Sequence, residues 1–202
     1  MTKIILIRHG QTNWNLTGKY QGHSDVELTN KGIEQAKQAA ERLYNEKIVA
    51  VYSSDLSRAV KTASCIADER NLVVTTLPEL REISFGDWEG LTFDQIKERW
   101  PEEFAKMFSR PDLVKIPNGE TVPMVADRIV KTICKLADTH NDKTIVVVSH
   151  GMAIRCALAH FLHVPLQYVW NIRQDNTAIN MLTFYAHDHA IIDLLNDTHH
   201  LR

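Results

Sequence analysis

The chain has 202 residues, enough for one domain with a sizeable core, and its 44% hydrophobic and 24% charged residues are those of an ordinary globular protein. A net charge of −2 supplies no global field to draw in nucleic acid or an acidic membrane surface, so any anion site has to be built locally. No apolar run is long enough to span a bilayer, and Met1-Thr2-Lys3 leads straight into a strand-like run without a signal-peptide pattern. Cys65, Cys134 and Cys156 are odd in number and far apart, which points to free thiols in a reducing cytoplasm.

In chain order, Lys3–Ile7 is an unbroken apolar run and predicts a strand buried on both faces. An amphipathic helix follows over Lys31–Tyr44, then a short strand over Val49–Tyr52, a helix over Leu56–Asp68 and a short strand over Leu72–Thr75. Phe93–Phe108 carries Trp100-Pro101 at its centre and predicts two short helices broken at the proline. Helical periodicity returns over Val122–Ala137, a second fully apolar strand over Thr144–Val148, and a helix over Met152–Leu162. Ala178–Phe184 and Ala190–Leu195 predict a strand pair joined by a turn at His187-Asp188. This alternation predicts a layered α/β domain with a mostly parallel sheet, and with no linker or repeat it reads as one domain over residues 1–202.

Two strands end in histidine followed by glycine: Arg8-His9-Gly10 and Ser149-His150-Gly151. Ligands in open α/β sheets sit at the carboxyl ends of strands, so the two rings would face one pocket if the strands are neighbours. Each glycine is expected to let the backbone turn sharply there. After the strand at Val49–Tyr52, Ser54 or Asp55 is expected to cap the next helix, with Arg58 in its first turn. Two histidines and two arginines at strand ends suit a tetrahedral oxyanion, which a guanidinium grips in a fixed fork.

These residues carry a resemblance. Ile7-Arg8-His9-Gly10-Gln11-Thr12-Asn13-Trp14-Asn15 resembles the Arg-His-Gly signature of the histidine phosphatase superfamily, which includes cofactor-dependent phosphoglycerate mutase. Further blocks follow in family order: Tyr20–Asp25, Leu28–Gly32, Ser53–Ala59, Leu80–Gly90, Pro117–Glu120 and Val148–Gly151. The resemblance implies a three-layer α/β/α sandwich, phosphoglycerate mutase-like, whose mixed sheet has one strand antiparallel to the rest. It implies His9 as nucleophile, Arg8 and Arg58 as phosphate clamps, His150 as the second pocket histidine, and Glu82 as proton donor and acceptor. With a phosphate dianion bound, a protonated His150 is expected to help the two arginines neutralise it. Asn15, Gln21 and Gly22 match positions lining the phosphate pocket.

A neutral His9 is needed to attack phosphorus, and its other ring nitrogen needs an acceptor, expected to be a backbone carbonyl near Gly10. Glu79 and Glu89 compete with Glu82 for the proton-transfer role. His160, His163, His187, His189, His199 and His200 form no metal motif, and the expectation is an enzyme without metal or cofactor. Its expected partner is a small-molecule phosphate ester, not nucleic acid or membrane, and a homodimer is left open. Three readings stand: a phosphatase, a mutase using the same pocket, and a non-catalytic phosphate-binding protein. The mutases carry a basic insertion after the block matching Gly86–Gly90, whereas this chain has only Lys97 and Arg99 nearby. Phe85–Gly90 is similar to α-ribazole phosphatases, a block that broad-specificity phosphatases share.

Overall fold

The computed structural model describes residues 1–201. A six-stranded sheet runs in the order β3-β2-β4-β1-β5-β6, from β1 (Thr2–Arg8), β2 (Ile48–Ser53), β3 (Val74–Thr76), β4 (Thr144–Ser149), β5 (Ile179–Ala186) and β6 (His189–Asp197). Parallel pairings join β3, β2, β4 and β1, while β5 pairs antiparallel with both β1 and β6. Only β5 opposes the common direction, as expected. Ile4, Ile5, Leu6 and Ile7 are all fully buried because β1 is central and covered on both faces. Each such side chain contributes about 1.5–3 kcal/mol relative to exposure.

Alternation along β1 divides two cores. Ile5 and Ile7 pack toward α2 (Asn30–Arg42) and α3 (Ser57–Asp68), with Ala40, Ala59, Ala63 and Ile66. Ile4 and Leu6 face α6 (Val122–Thr139) and α7 (Gly151–Phe161), with Ile129, Ile133, Ala153 and Ala157. The result is the expected α/β/α sandwich. A four-residue helix, α1 (Asn13–Leu16), was not anticipated. Thr12 caps it in a reciprocal box, accepting from the Asn15 N–H while its own N–H donates to Asn15 Oδ1. The Phe93–Phe108 segment is α4 (Phe93–Arg99) and α5 (Pro101–Ser109), broken at the proline as expected.

Two local expectations need correction. The strand expected at Leu72 begins at Val74, because the Leu72 N–H closes the end of α3 by donating to the Ala67 carbonyl. The cap of α3 comes from neither Ser54 nor Asp55 at the first helical residue. The Ser57 N–H donates to Asp25 from the loop between α1 and α2, at 2.8 Å, while Ser54 Oγ accepts from Leu56 and Asp55 binds Arg81. A cap drawn from a segment thirty residues away leaves no local signal. Among the described residues, no helix is long and apolar enough to cross a membrane.

Candidate active site

β1 and β4 are parallel neighbours in a register that sets Arg8 opposite Ser149. Their carboxyl ends therefore deliver His9 and His150 side by side, with ring centroids 5.1 Å apart. A cleft of about 280 Å³ opens there, lined by Arg8, His9, Asn15, Gln21, Gly22, Arg58 and Glu82 among others. His150 stands behind His9, fully buried. The sequence-predicted residues are thus gathered at the carboxyl edge of the sheet.

The glycines beside the histidines act differently from expectation. Neither Gly10 nor Gly151 has a positive φ. Gly10 is needed for space, since a Cβ there would fall 2.4 Å from the Gly32 carbonyl oxygen, whereas one on Gly151 would come closest to the Arg155 guanidinium, at 3.1 Å.

His9 Nδ1 donates to the Gly10 carbonyl at 2.7 Å, leaving Nε2 with its lone pair toward the cleft. Burial, then the Arg58 and Arg8 charges, hold His9 well below the usual histidine range, and only the Gly10 bond opposes them. The ring is therefore neutral at physiological pH.

The two clamps are anchored by their outer nitrogens. Arg8 Nη1 donates to the Gln174 carbonyl; Arg58 donates to the Ser24 and Gly22 carbonyls at 2.8 and 2.7 Å. Among the described residues, their buried Nε atoms have no hydrogen-bond partner, and neither does either ring nitrogen of His150. Unpaired buried donors cost free energy, so this cluster is primed for an oxyanion. Burial and Arg155 push Arg8 down to about 10, so it stays charged at neutral pH.

The protonated state expected of His150 is one for the phosphate-bound site. Burial, Arg58, His9 and Arg8 all push it well below the histidine range, so it is neutral in the ligand-free site. The charge of a bound dianion is the counterweight that protonation requires.

Glu82 lies just past the 3₁₀ turn Pro78–Leu80. Its carboxylate accepts from the Met152 and Ala153 N–H groups at 3.1–3.2 Å, at the positive end of α7. Arg81 is not its partner, being paired with Asp55. Glu89 is occupied otherwise: it accepts from the His23, Ser24 and Phe85 N–H groups. Glu79 is exposed and absent from the cleft lining.

Sequence reasoning missed several supporting residues. Arg155 on α7 lines the cleft and stacks over Trp170 at 5.0 Å. Asn176 Nδ2 donates to the His9 carbonyl and to Asn15 Oδ1, and Thr12 Oγ1 donates to Gln21 Oε1. Arg128 on α6 donates to the carbonyls of Glu79, Arg81 and Glu82 while pairing with Glu120, so it fixes the backbone that carries Glu82. Periodicity marks Arg128 only as a polar position on an amphipathic helix.

Among the described residues, no group of three or more His, Cys, Asp or Glu is arranged to hold a metal ion. Three histidines outside the cleft each pair with one aspartate: His160 with Asp188, His187 with Asp138 and His199 with Asp197.

Comparison with known proteins gives a family and relatives of similar length. The family model of the histidine phosphatase superfamily, branch 1, matches residues 4–198. Phosphoserine phosphatase 1 of Hydrogenobacter thermophilus is 34% identical, covering all of this chain and 95% of the relative. Phosphoglycerate mutase-like protein 4 of Arabidopsis thaliana is 39% identical, covering 98% of this chain and 86% of the relative. Among solved structures, a phosphoserine phosphatase mutant of Entamoeba histolytica in complex with phosphoserine has a TM-score of 0.90 and 34% identity, covering 100% of both chains. The α-ribazole phosphatase of Shigella flexneri has a TM-score of 0.87 and 29% identity, covering 96% of both.

Proposed function

The chain belongs to the histidine phosphatase superfamily, and we propose that it is a phosphomonoester hydrolase working through a phosphohistidine on His9, as a single catalytic unit over residues 1–202. The observation that carries this reading is the neutral His9, its Nδ1 tied to Gly10 and its Nε2 free, beside two clamps with unpaired inner nitrogens.

In the first step the His9 Nε2 lone pair forms a bond to phosphorus while the ester P–O bond breaks. The leaving oxygen takes a proton from Glu82. Arg8 and Arg58 neutralise the equatorial oxygens, and His150, protonated against the bound dianion, donates to one of them. In the second step Glu82 takes a proton from water, whose oxygen attacks phosphorus as the P–N bond breaks. Inorganic phosphate leaves and His9 is again neutral. Charge compensation in this scheme comes wholly from side chains, so we propose turnover without a divalent metal. Asn15, Gln21 and Gly22 complete the phosphate cradle, with Asn15 oriented by Thr12 and Asn176.

The substrate is a small phosphorylated metabolite, and α-ribazole 5′-phosphate belongs in the first screen. A mutase reading is favoured by the likeness to phosphoglycerate mutase-like protein 4 and by Arg155 in the cleft. Against it, Lys97 and Arg99 are exposed and outside the cleft, so the α4–α5 segment offers no basic grip of its own. Offered 3-phosphoglycerate with a bisphosphoglycerate primer, the protein should release inorganic phosphate faster than it forms 2-phosphoglycerate; the reverse makes it a mutase.

The direct test is to trap the intermediate. Glu82→Gln keeps nucleophile and clamps but removes the group that activates water, so phosphoenzyme should accumulate with p-nitrophenyl phosphate, whose phenolate needs no proton. An alkaline quench and intact mass should show one added phosphoryl group, absent in His9→Ala. No adduct in the Gln variant, with equal losses on alkyl and aryl esters, would remove Glu82 from the role.

A further inference from the structure

Beyond the clamps the cleft changes character. Tyr20, Phe93 and Phe108 follow one another with ring centroids 5.2 and 6.4 Å apart, and Phe108 lies 5.7 Å from Trp170. These four rings form a continuous arc along one side of the mouth, and all four line the cleft. Trp14 lines it as well.

Phe93 and Phe108 are 47% and 48% exposed. A single exposed phenylalanine is unremarkable, but an unbroken aromatic run opening onto a cleft is a surface kept for a ligand. The arc is also held in place. Trp170 Nε1 donates to the Met107 carbonyl at 2.5 Å, and the Arg155 guanidinium covers its outer face while Arg155 Nε donates to the Ile172 carbonyl. Phe104 braces Phe108 edge-on at 5.2 Å. Rings fixed in this way offer contact area with little ordering cost on binding.

We propose that this end of the site selects phosphate monoesters of alcohols that carry a flat apolar or aromatic body. The proposal rests on the phosphatase reading and adds a substrate class to it. The phosphate lies on Arg8 and Arg58, and the alcohol's body lies against Phe93, Phe108 and Trp170. A small zwitterionic alcohol such as serine would set its charged head against these rings, with Arg155 as the nearby counter-charge.

The test compares esters whose leaving oxygen is the same primary alkoxide, so that differences in kcat/KM report contacts with the alcohol's body. 3-Phenylpropyl phosphate should exceed propyl phosphate by ~10-fold or more, and should exceed phosphoserine too. Phe93→Ala and Phe108→Ala truncate half-exposed rings, so the fold should persist. In the double variant the phenylpropyl-to-propyl ratio should collapse to about threefold or less. A ratio near one in the wild type, or one that survives both substitutions, overturns the proposal. So does a preference for phosphoserine that Arg155→Ala removes, which would make this end a carboxylate site. p-Nitrophenyl phosphate in the same preparation separates the two levels. If it is hydrolysed while the ring preference is missing, only the substrate class fails; if nothing is hydrolysed, the phosphatase reading falls with it.

Discussion

Acidifying the ligand-free protein should destabilise it through the two buried histidines, and an oxyanion should reverse part of the loss. His9 is 3% exposed and His150 fully buried, and burial and arginine charge hold both well below the usual histidine range. In the unfolded chain each imidazole takes up a proton near pH 6.5, whereas the native protein does not until far lower pH. The unfolded state therefore binds more protons in that window, and stability falls as pH drops through about 6.5. From pH 7 to 5.5 the loss is about 1.2 kcal/mol for each histidine. Urea unfolding at the two pH values, for wild type and His150→Asn, isolates the effect. The variant should lose about 1.2 kcal/mol less between them, since other titrating groups contribute alike to both proteins. Saturating sulfate, a dianion at both pH values, should shrink the wild-type loss, because it gives His150 a charge to protonate against. Equal losses in the two proteins would mean that His150 titrates freely in the native state, and the burial argument would be wrong.

Arg128→Ala should lower kcat on alkyl phosphates by up to ~100-fold with little change in KM, since it frees the backbone carrying Glu82. The loss should be smaller on p-nitrophenyl phosphate and partly rescued by Arg128→Lys; equal losses on both esters would make its role merely structural. Gly10→Ala should destabilise the fold by about 2 kcal/mol or more and abolish turnover, because its Cβ would meet the Gly32 carbonyl, a backbone group that cannot step aside. Urea unfolding reads the first effect and p-nitrophenyl phosphate the second. Hydrolysis should survive EDTA and be inhibited by vanadate, which adopts the five-coordinate geometry of the transferring phosphorus; activity lost to chelator and restored by zinc or magnesium would refute metal-free turnover.

The parts of this molecule that were legible in its sequence are those whose cause is local. Ile4–Ile7 and Ile145–Val148 are apolar without alternation because both faces of β1 and β4 are covered, and that pattern alone places two histidines at strand ends. The break at Trp100-Pro101 is equally local, since the proline cannot continue α4 but can open α5. The cap of α3 was not legible, because Asp25 reaches Ser57 across the fold and no spacing rule connects them.

The same distinction explains why the reactive residues were legible and their supports were not. His9, His150 and Arg58 sit at strand ends or in the first turn after one, positions that the chain direction dictates. Arg128 contacts the Glu82 segment only because α6 crosses beneath it, and Asn176 reaches His9 because β5 runs antiparallel beside β1. Each is an ordinary polar side chain until topology brings it to the site. The protonation state of His150 belongs to this second group. Two arginines beside a buried ring favour its neutral form, while the ligand they are positioned to hold favours the cation. A site with unpaired donors and a neutral second histidine is therefore the resting half of a coupled equilibrium, in which oxyanion and proton bind together. Affinity for sulfate, which stays a dianion throughout this range, should accordingly rise as pH falls toward 6, and titration calorimetry in buffers of different ionisation enthalpy should register proton uptake on binding. Binding without proton uptake would mean that His150 is already charged in the empty site, and Arg8 and Arg58 would then be failing to exclude a third positive charge from a space they enclose.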